Sequence, residues 1–197
     1  MPADAALAPV PLARALREAT AQAHAAVEAL PHMHALAHGA LPCDQYVRVL
    51  QQHLALVEPW ERTHAAWLQT LAAQGWHYRA RGPALRADLA TLGVTAPAAA
   101  PLTEAEPAAA AWGQLYVIEG SLLGGRLIAR AFRAAQPALS AALAYFDLGS
   151  EAPGAWRQFQ ACLEAALPSV AQRQAAIGGA QSMFARFHQQ LAAGVAA

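Results

Sequence analysis

Apolar residues recur at spacings of three and four along most of the chain, the period of amphipathic helices. Tyr46, Leu50, His53, Leu54, Val57 and Trp60 form one such stripe. It lies in a long helix that Pro42 and Asp44 open and that reaches about Leu71, with Pro59 as an expected kink inside it. A first helix covers about residues 11–30, from Pro11 to a stop at Pro31. Pro83 starts a short helix with Leu85, Leu89 and Leu92 on one face, ending near Gly93. Prolines make the next ten residues a loop. Thr103 and Glu106 then have the spacing of a capping box for a helix that runs to about Ala135, before Pro137. Segments 139–146, 155–167 and 169–191 supply the remaining helices. Strand signals are nearly absent, and no repeat or linker divides the chain. The pattern predicts an all-α, single-domain, multi-helix bundle over residues 1–197, with 1–10 as a flexible N-terminal segment.

Composition narrows the function classes. Of 197 residues, 56% are hydrophobic and 13% charged, and the formal net charge is zero. No global basic field therefore points to nucleic acid. All basic residues are arginine. Cys43 and Cys162 form neither a metal-type pair nor a disulfide framework, which implies a reducing compartment. The N-terminus has no signal-peptide pattern, and no apolar run approaches the ~20 residues of a membrane span. The expectation is a cytoplasmic protein without membrane insertion.

One helix is energetically odd. Tyr116-Val-Ile-Glu-Gly-Ser-Leu-Leu-Gly-Gly-Arg-Leu-Ile-Ala-Arg130 reads as helix throughout, yet carries Gly120, Gly124 and Gly125. Each interior glycine costs about 1 kcal/mol relative to alanine. Gly120 and Gly124 fall on one face. Either that face makes a close helix–helix contact or a kink, or its bare backbone admits something flat and large.

The first helix carries Thr20, His24 and Glu28 at i, i+4 and i+8. A histidine that binds a metal usually has its second ring nitrogen held by an acceptor, and a glutamate one turn on can be that acceptor. The plainer reading is a satisfied histidine with an incidental neighbour. His32, His34, His38 and Cys43 are a weaker Cys/His cluster, lacking another ligand at suitable spacing. His53, His64, His77 and His188 read as half-buried polar positions on amphipathic helices. Glu61-Arg-Thr-His64, with Glu58 nearby, is a single Glu-x-x-His, whereas a di-iron carboxylate site needs two. No phosphate loop, dinucleotide fingerprint or Ser-His-Asp pattern occurs.

Taken together, a histidine with its orienting glutamate and a glycine-stripped helix are the layout for haem held between two helices. The chain resembles the bacterial haem oxygenases, most closely those associated with bacteriophytochromes. The resemblance rests on Leu16-Arg-Glu-Ala-Thr-Ala-Gln-Ala-His24-Ala-Ala-Val-Glu28 and on Tyr116-Val-Ile-Glu-Gly-Ser-Leu-Leu-Gly-Gly125. Weaker echoes at 81–93 and 156–164 occur in the expected order.

The resemblance implies that haem, both substrate and cofactor, lies between the first, proximal helix and a Gly-kinked distal helix. His24 would ligate the iron, Glu28 would accept from its other ring nitrogen, and Thr20 would adjoin them. Gly120, Ser121, Gly124 and Gly125 would line the distal side and direct bound O2 to a meso carbon. Arg17, Tyr116 and Arg186 would meet the haem propionates. The products would be biliverdin, CO and iron, with a ferredoxin or reductase as external electron donor and a bacteriophytochrome as a conceivable recipient. Animal members place an aspartate where this chain has Ser121; bacterial relatives share the Gly-Ser step. That difference motivates the alternative of a haem-binding or transfer protein that does not degrade haem. Glu119 points about a quarter turn away and is left unassigned.

Overall fold

The computed structural model describes residues 10–96, 99, 102, 105–148 and 153–193. Among these every regular element is helical: α1 (Leu12–Glu28), α2 (Pro31–Ala37), α3 (Cys43–Thr63), α4 (Ala65–Thr70), α5 (Gly82–Thr91), α6 (Ala108–Ala135), α7 (Ala144–Asp147), α8 (Ala155–Ala166) and α9 (Val170–Ala193). Two 3-10 turns extend this set: Leu71–Gln74 lies between α4 and α5, and Pro137–Ala142 between α6 and α7. The all-α expectation holds. The flexible segment expected at 1–10 lies outside the described residues except for Val10.

Several boundaries differ for local reasons. Pro31 does not merely stop a helix; it is the first residue of α2, where its missing N–H costs nothing. The long helix expected to reach Leu71 continues through Pro59 and ends at Thr63. Pro59 offers no N–H to the preceding turn. One turn later Thr63 Oγ1 donates to Pro59 O at 2.9 Å, and His64 Nδ1 lies 2.9 Å from Trp60 O. The capping box is not formed as expected. Helix α6 begins at Ala108 with Pro107 in the capping position, and Glu106 instead meets Arg186 at 3.5 Å. Thr103 lies outside the described residues.

Two cores organise the bundle. The first gathers Leu12 and Leu16 of α1, Val57 and Trp60 of α3, Trp112, Leu115 and Ile118 of α6, Phe159 of α8 and Met183 and Phe187 of α9. The second gathers Tyr46, Leu50 and Leu54 of α3, Leu85 and Leu89 of α5, and Ala129 and Phe132 of α6, with Tyr145 and Phe146. Helices α3 and α6 belong to both. Gly120, Gly124 and Gly125 of α6 fall between its two core-forming stretches.

Helices α6 and α9 are antiparallel, since Gly113 meets Ala176 while Ala110 meets Gly179. The approach is very close: a Cβ on Gly113 would lie 1.8 Å from Ala176 O, and one on Gly179 2.1 Å from Ala110 O. Helix α1 lies on the same α9, with Gln181 Nε2 donating to Ala19 O at 3.3 Å. Its N-terminus is fixed by Glu164 of α8, which accepts from Leu12 N at 2.7 Å, a carboxylate where a helix start favours one.

Candidate functional site

The histidine stripe forms as helix geometry requires. His24 Nδ1 lies 3.3 Å from Glu28 Oε2, and the two side chains are 56% and 69% exposed. The His24 ring meets Phe184 of α9 edge-on, at 5.5 Å between centroids. No hydrogen bond to Nε2 occurs among the described residues, so one nitrogen is oriented and the other is available to a ligand. Thr20 is buried, and its Oγ1 donates to Leu16 O at 2.7 Å. The structure therefore keeps Thr20 in its own helix rather than bringing it to His24.

The helix expected to be kinked by its glycines is continuous from Ala108 to Ala135, and the glycines divide by what surrounds them. A Cβ on Gly124 would meet nothing within 4 Å. One on Gly120 would lie 3.4 Å from the Trp156 ring of α8. One on Gly125 would lie 3.1 Å from Phe146 O, so this glycine serves packing. Ser121 is exposed on the helix, and Leu123 and Leu127 beside it are 40% and 68% exposed. Gly124 thus supports the open-face reading and Gly125 the contact reading.

Helices α1 and α6 meet where Tyr116 O–H reaches Ala13 O at 3.5 Å. The Arg17 charge opposes the rise that burial imposes on the Tyr116 phenol, so these two candidates are neighbours. The Trp156 ring packs tilted against Tyr116, at 5.3 Å between centroids. Arg186 lies elsewhere. Its partner is Glu106, and on α9 it is two residues, roughly 200° of turn, from the Phe184 that meets His24.

Behind α6 lies a group of polar side chains that sequence reasoning missed. Arg81 Nη2 pairs with Glu119 Oε2 at 2.8 Å, with both side chains at most 3% exposed. Trp76 Nε1 donates to Glu119 Oε1 at 3.2 Å. The Arg81 guanidinium sits over the Tyr78 ring at 4.7 Å, and Tyr78 O–H donates to Glu61 Oε1 at 2.6 Å. Glu61 also accepts from Gly82 N, and Glu58 pairs with Arg86 at 2.6 Å. The carboxylates considered for a di-iron site are therefore structural. The signal in sequence was a charge at 119 on an otherwise apolar face, readable only once 81 was known to face it.

The remaining histidines separate. His53 and His64 are buried, not half-buried, while His77 and His188 are exposed. Burial pushes the His53 imidazole down to about 4. The His34 and His38 rings pack tilted, at 4.4 Å between centroids. No cluster of three or more His, Cys, Asp or Glu able to hold a metal occurs among the described residues, so His32, His34, His38 and Cys43 are not gathered into a site.

The class defined by fold and site is an all-α bundle with an oriented imidazole on one helix and a bare backbone face on another. The family model described as "Heme oxygenase" matches residues 10–193, and the chain belongs to the haem oxygenase family. A curated heme oxygenase of Xanthomonas campestris pv. campestris is 53% identical over 161 residues, covering 82% of this chain and 97% of that protein. The fold is similar to the heme oxygenase of Leptospira interrogans, with TM-score 0.77, 18% identity and coverage of 93% of this chain and 100% of the other. It is also similar to heme oxygenase-1 of the cyanobacterium Synechocystis in complex with heme, with TM-score 0.71, 16% identity and coverage of 93% and 92%.

Proposed function

We propose that this haem oxygenase degrades haem held between α1 and α6. The carrying observation is the contrast among its glycines: Gly113 and Gly179 are filled by a facing helix, whereas the Cβ direction of Gly124 is open. An oriented imidazole and a bare helix face fit a flat metal macrocycle, which supplies the oxygen chemistry when bound. His24 would ligate iron through Nε2, with Glu28 holding Nδ1 and the ring's tautomer. A neutral imidazole suits oxygenation of the ring better than a thiolate, which favours O–O cleavage. Gly120, Ser121 and Gly124 form the distal face, and Gly125 seats that helix on Phe146. Arg17 and Tyr116 are the propionate partners; charge-assisted bonds there fix how haem sits in the slot. Thr20 and Arg186 have other partners and receive no role.

The reaction uses O2 and electrons from an external ferredoxin or reductase, and yields biliverdin, CO and iron. Supply of biliverdin to a bacteriophytochrome, and a cytoplasmic location, rest on the sequence resemblance and cysteine usage. No helix among the described residues is long and apolar enough to cross a membrane.

The test is to add hemin to purified protein, record the Soret band, and then supply reductant under air. The wild type is expected to give a ligated-haem spectrum that decays to a biliverdin band. His24→Ala should lose the ligated spectrum, and Gly124→Leu should fold but fail to seat haem or O2. A Soret band indifferent to His24→Ala would overturn the ligand assignment. A stable haem spectrum without a biliverdin band would establish a haem carrier instead.

A further inference from the structure

All five tryptophans of the chain belong to one core, and four of them join a line of rings that no role above has absorbed. The line begins at the distal wall of the slot, where the Trp156 ring of α8 lies 3.4 Å from the position of a Cβ on Gly120. Trp156 stacks on Phe159 at 5.6 Å between centroids, and Phe159 meets Trp112 of α6 at 5.9 Å. Trp112 meets Trp67 of α4 edge-on at 5.6 Å. Trp67 meets Trp60 of α3 at 6.4 Å, and Trp60 meets Tyr78 at 6.2 Å. Every step is within the range of rings in contact. Phe159, Trp112 and Trp60 are buried, whereas Trp156, Trp67 and Tyr78 are half-buried.

Packing alone does not require this composition. Leucine or phenylalanine would fill such a core without an N–H or O–H to satisfy. Apart from Phe159, every ring in the line is tryptophan or tyrosine, the aromatic side chains that give up an electron most readily. The far end also accommodates the proton that leaves with the electron. An oxidised phenol is a much stronger acid than any carboxylic acid, and it needs a base at once. Tyr78 O–H donates to Glu61 Oε1 at 2.6 Å, a short bond to a carboxylate. The Arg81 guanidinium lies over the Tyr78 ring at 4.7 Å, so positive charge left on that ring is opposed and the proton must go. Burial pushes the Tyr78 phenol well up, so it holds its proton until it is oxidised. Trp60 Nε1 donates to Gln114 Oε1 at 2.6 Å, and an amide is no base, so this ring passes charge on. At the slot end Tyr116 O–H reaches only Ala13 O, at 3.5 Å, and has no base either.

We propose that these rings are a route by which oxidising equivalents that miss their target at the haem leave the slot and come to rest on Tyr78, with Glu61 taking the phenol proton. The inference rests on the haem-oxygenase reading of the slot. The oxidant is hydrogen peroxide. Its O–O bond breaks, one oxygen leaves as water, and the haem with the other oxygen is two electrons short. One electron comes from Tyr78 through the tryptophans, and its proton passes to Glu61. The second electron comes from the external donor, and two protons from solvent complete the second water. The phenoxyl then takes an electron from the same donor and its proton back from Glu61, which leaves the protein intact.

The test is to mix the ferric haem complex with hydrogen peroxide, freeze it, and record the electron paramagnetic resonance of protein radicals. Wild type is expected to show a tyrosyl signal, which narrows when the tyrosine is ring-deuterated. Tyr78→Phe should lose most of it. Trp67→Leu, which interrupts the line but keeps Tyr78 and its Glu61 bond, should lose it too. Neither change touches the slot, so the Soret band should not move. A tyrosyl signal that survives either change, or none in wild type, would overturn the inference while leaving haem binding intact. A second arm needs no haem. Azide radicals made by pulse radiolysis oxidise tryptophan, and the indolyl absorbance should convert to tyrosyl absorbance in wild type but not in Tyr78→Phe. If Tyr78→Phe does not fold, Trp67→Leu decides the haem arm. Absence of any Soret band in wild type would instead refute the parent reading, and the haem-free arm would still show whether the rings carry charge to Tyr78.

Discussion

The two walls of the proposed slot are built by opposite means. On α1 the chemistry is local: His24 and Glu28 are one helical turn apart, exposed, and need only the helix to meet. On α6 it is tertiary. Behind the bare face Glu119 is buried against Arg81 and Trp76, and Gly125 seats the helix on Phe146 of α7. A helix alone can orient an imidazole, because four-residue spacing fixes the distance. A bare helix face has no side chain of its own to set its depth and must be placed by what packs behind it. The proximal wall should therefore tolerate change in its partner residue without loss of fold, and the distal wall should not.

The largest effect expected from that contrast is on stability. Arg81→Ala leaves Glu119 buried without its cation and should cost about 3–5 kcal/mol in urea denaturation of the haem-free protein. Glu28→Ala, on an exposed pair, should change it by less than about 0.5 kcal/mol. Equal losses in the two variants would erase the distinction between a local and a tertiary wall.

A second expectation concerns acid. His53 packs against Tyr145 and Phe187, and burial lowers its folded-state pKa to about 4. The unfolded chain takes up that proton near 6.5, the folded protein only near 4. Between these values the unfolded state binds more protons, so stability falls as pH falls, by up to about 1.4 kcal/mol per unit, and is fully retained above about 6.5. Buried His64 is lowered as well and adds in the same direction. Urea midpoints from about pH 7 down to about 4.5 should drop steeply in wild type and less in His53→Gln. A parallel drop would show that the enclosed imidazole does not set the acid limit of the distal side.

The same division decides what could be read from the sequence. Helix periods, most boundaries and the His24–Glu28 pair were legible because each is a relation within a few residues. Pro31 misled because proline both ends one helix and begins the next. Pro59 misled because its effect appears a turn later, at His64. Gly113 and Gly179, which carry a very close helix contact, did not stand out beside the glycine-rich stretch, since close approach depends on which helix faces them. Arg81 could not be assigned for the same reason: its partner Glu119 is 38 residues away in sequence, and nothing around either residue marks the meeting.

The smallest effect tests the division within α6 itself. Gly124→Ala places a methyl where nothing lies within 4 Å, so it gains helix propensity and should stabilise the haem-free protein by up to about 1 kcal/mol. Gly125→Ala makes the same gain, but its methyl would sit 3.1 Å from Phe146 O. That atom is backbone in α7, so relief requires moving that helix, and the net change should be destabilising. Two adjacent, chemically identical substitutions should therefore shift the melting temperature in opposite directions. Haem affinity should follow a different order: the Gly124 variant, though more stable, should bind haem more weakly, because its methyl occupies the open face. If Gly124→Ala stabilised the protein and left haem binding unchanged, the face would be open for some reason other than haem, and the distal wall would have to be sought elsewhere on α6.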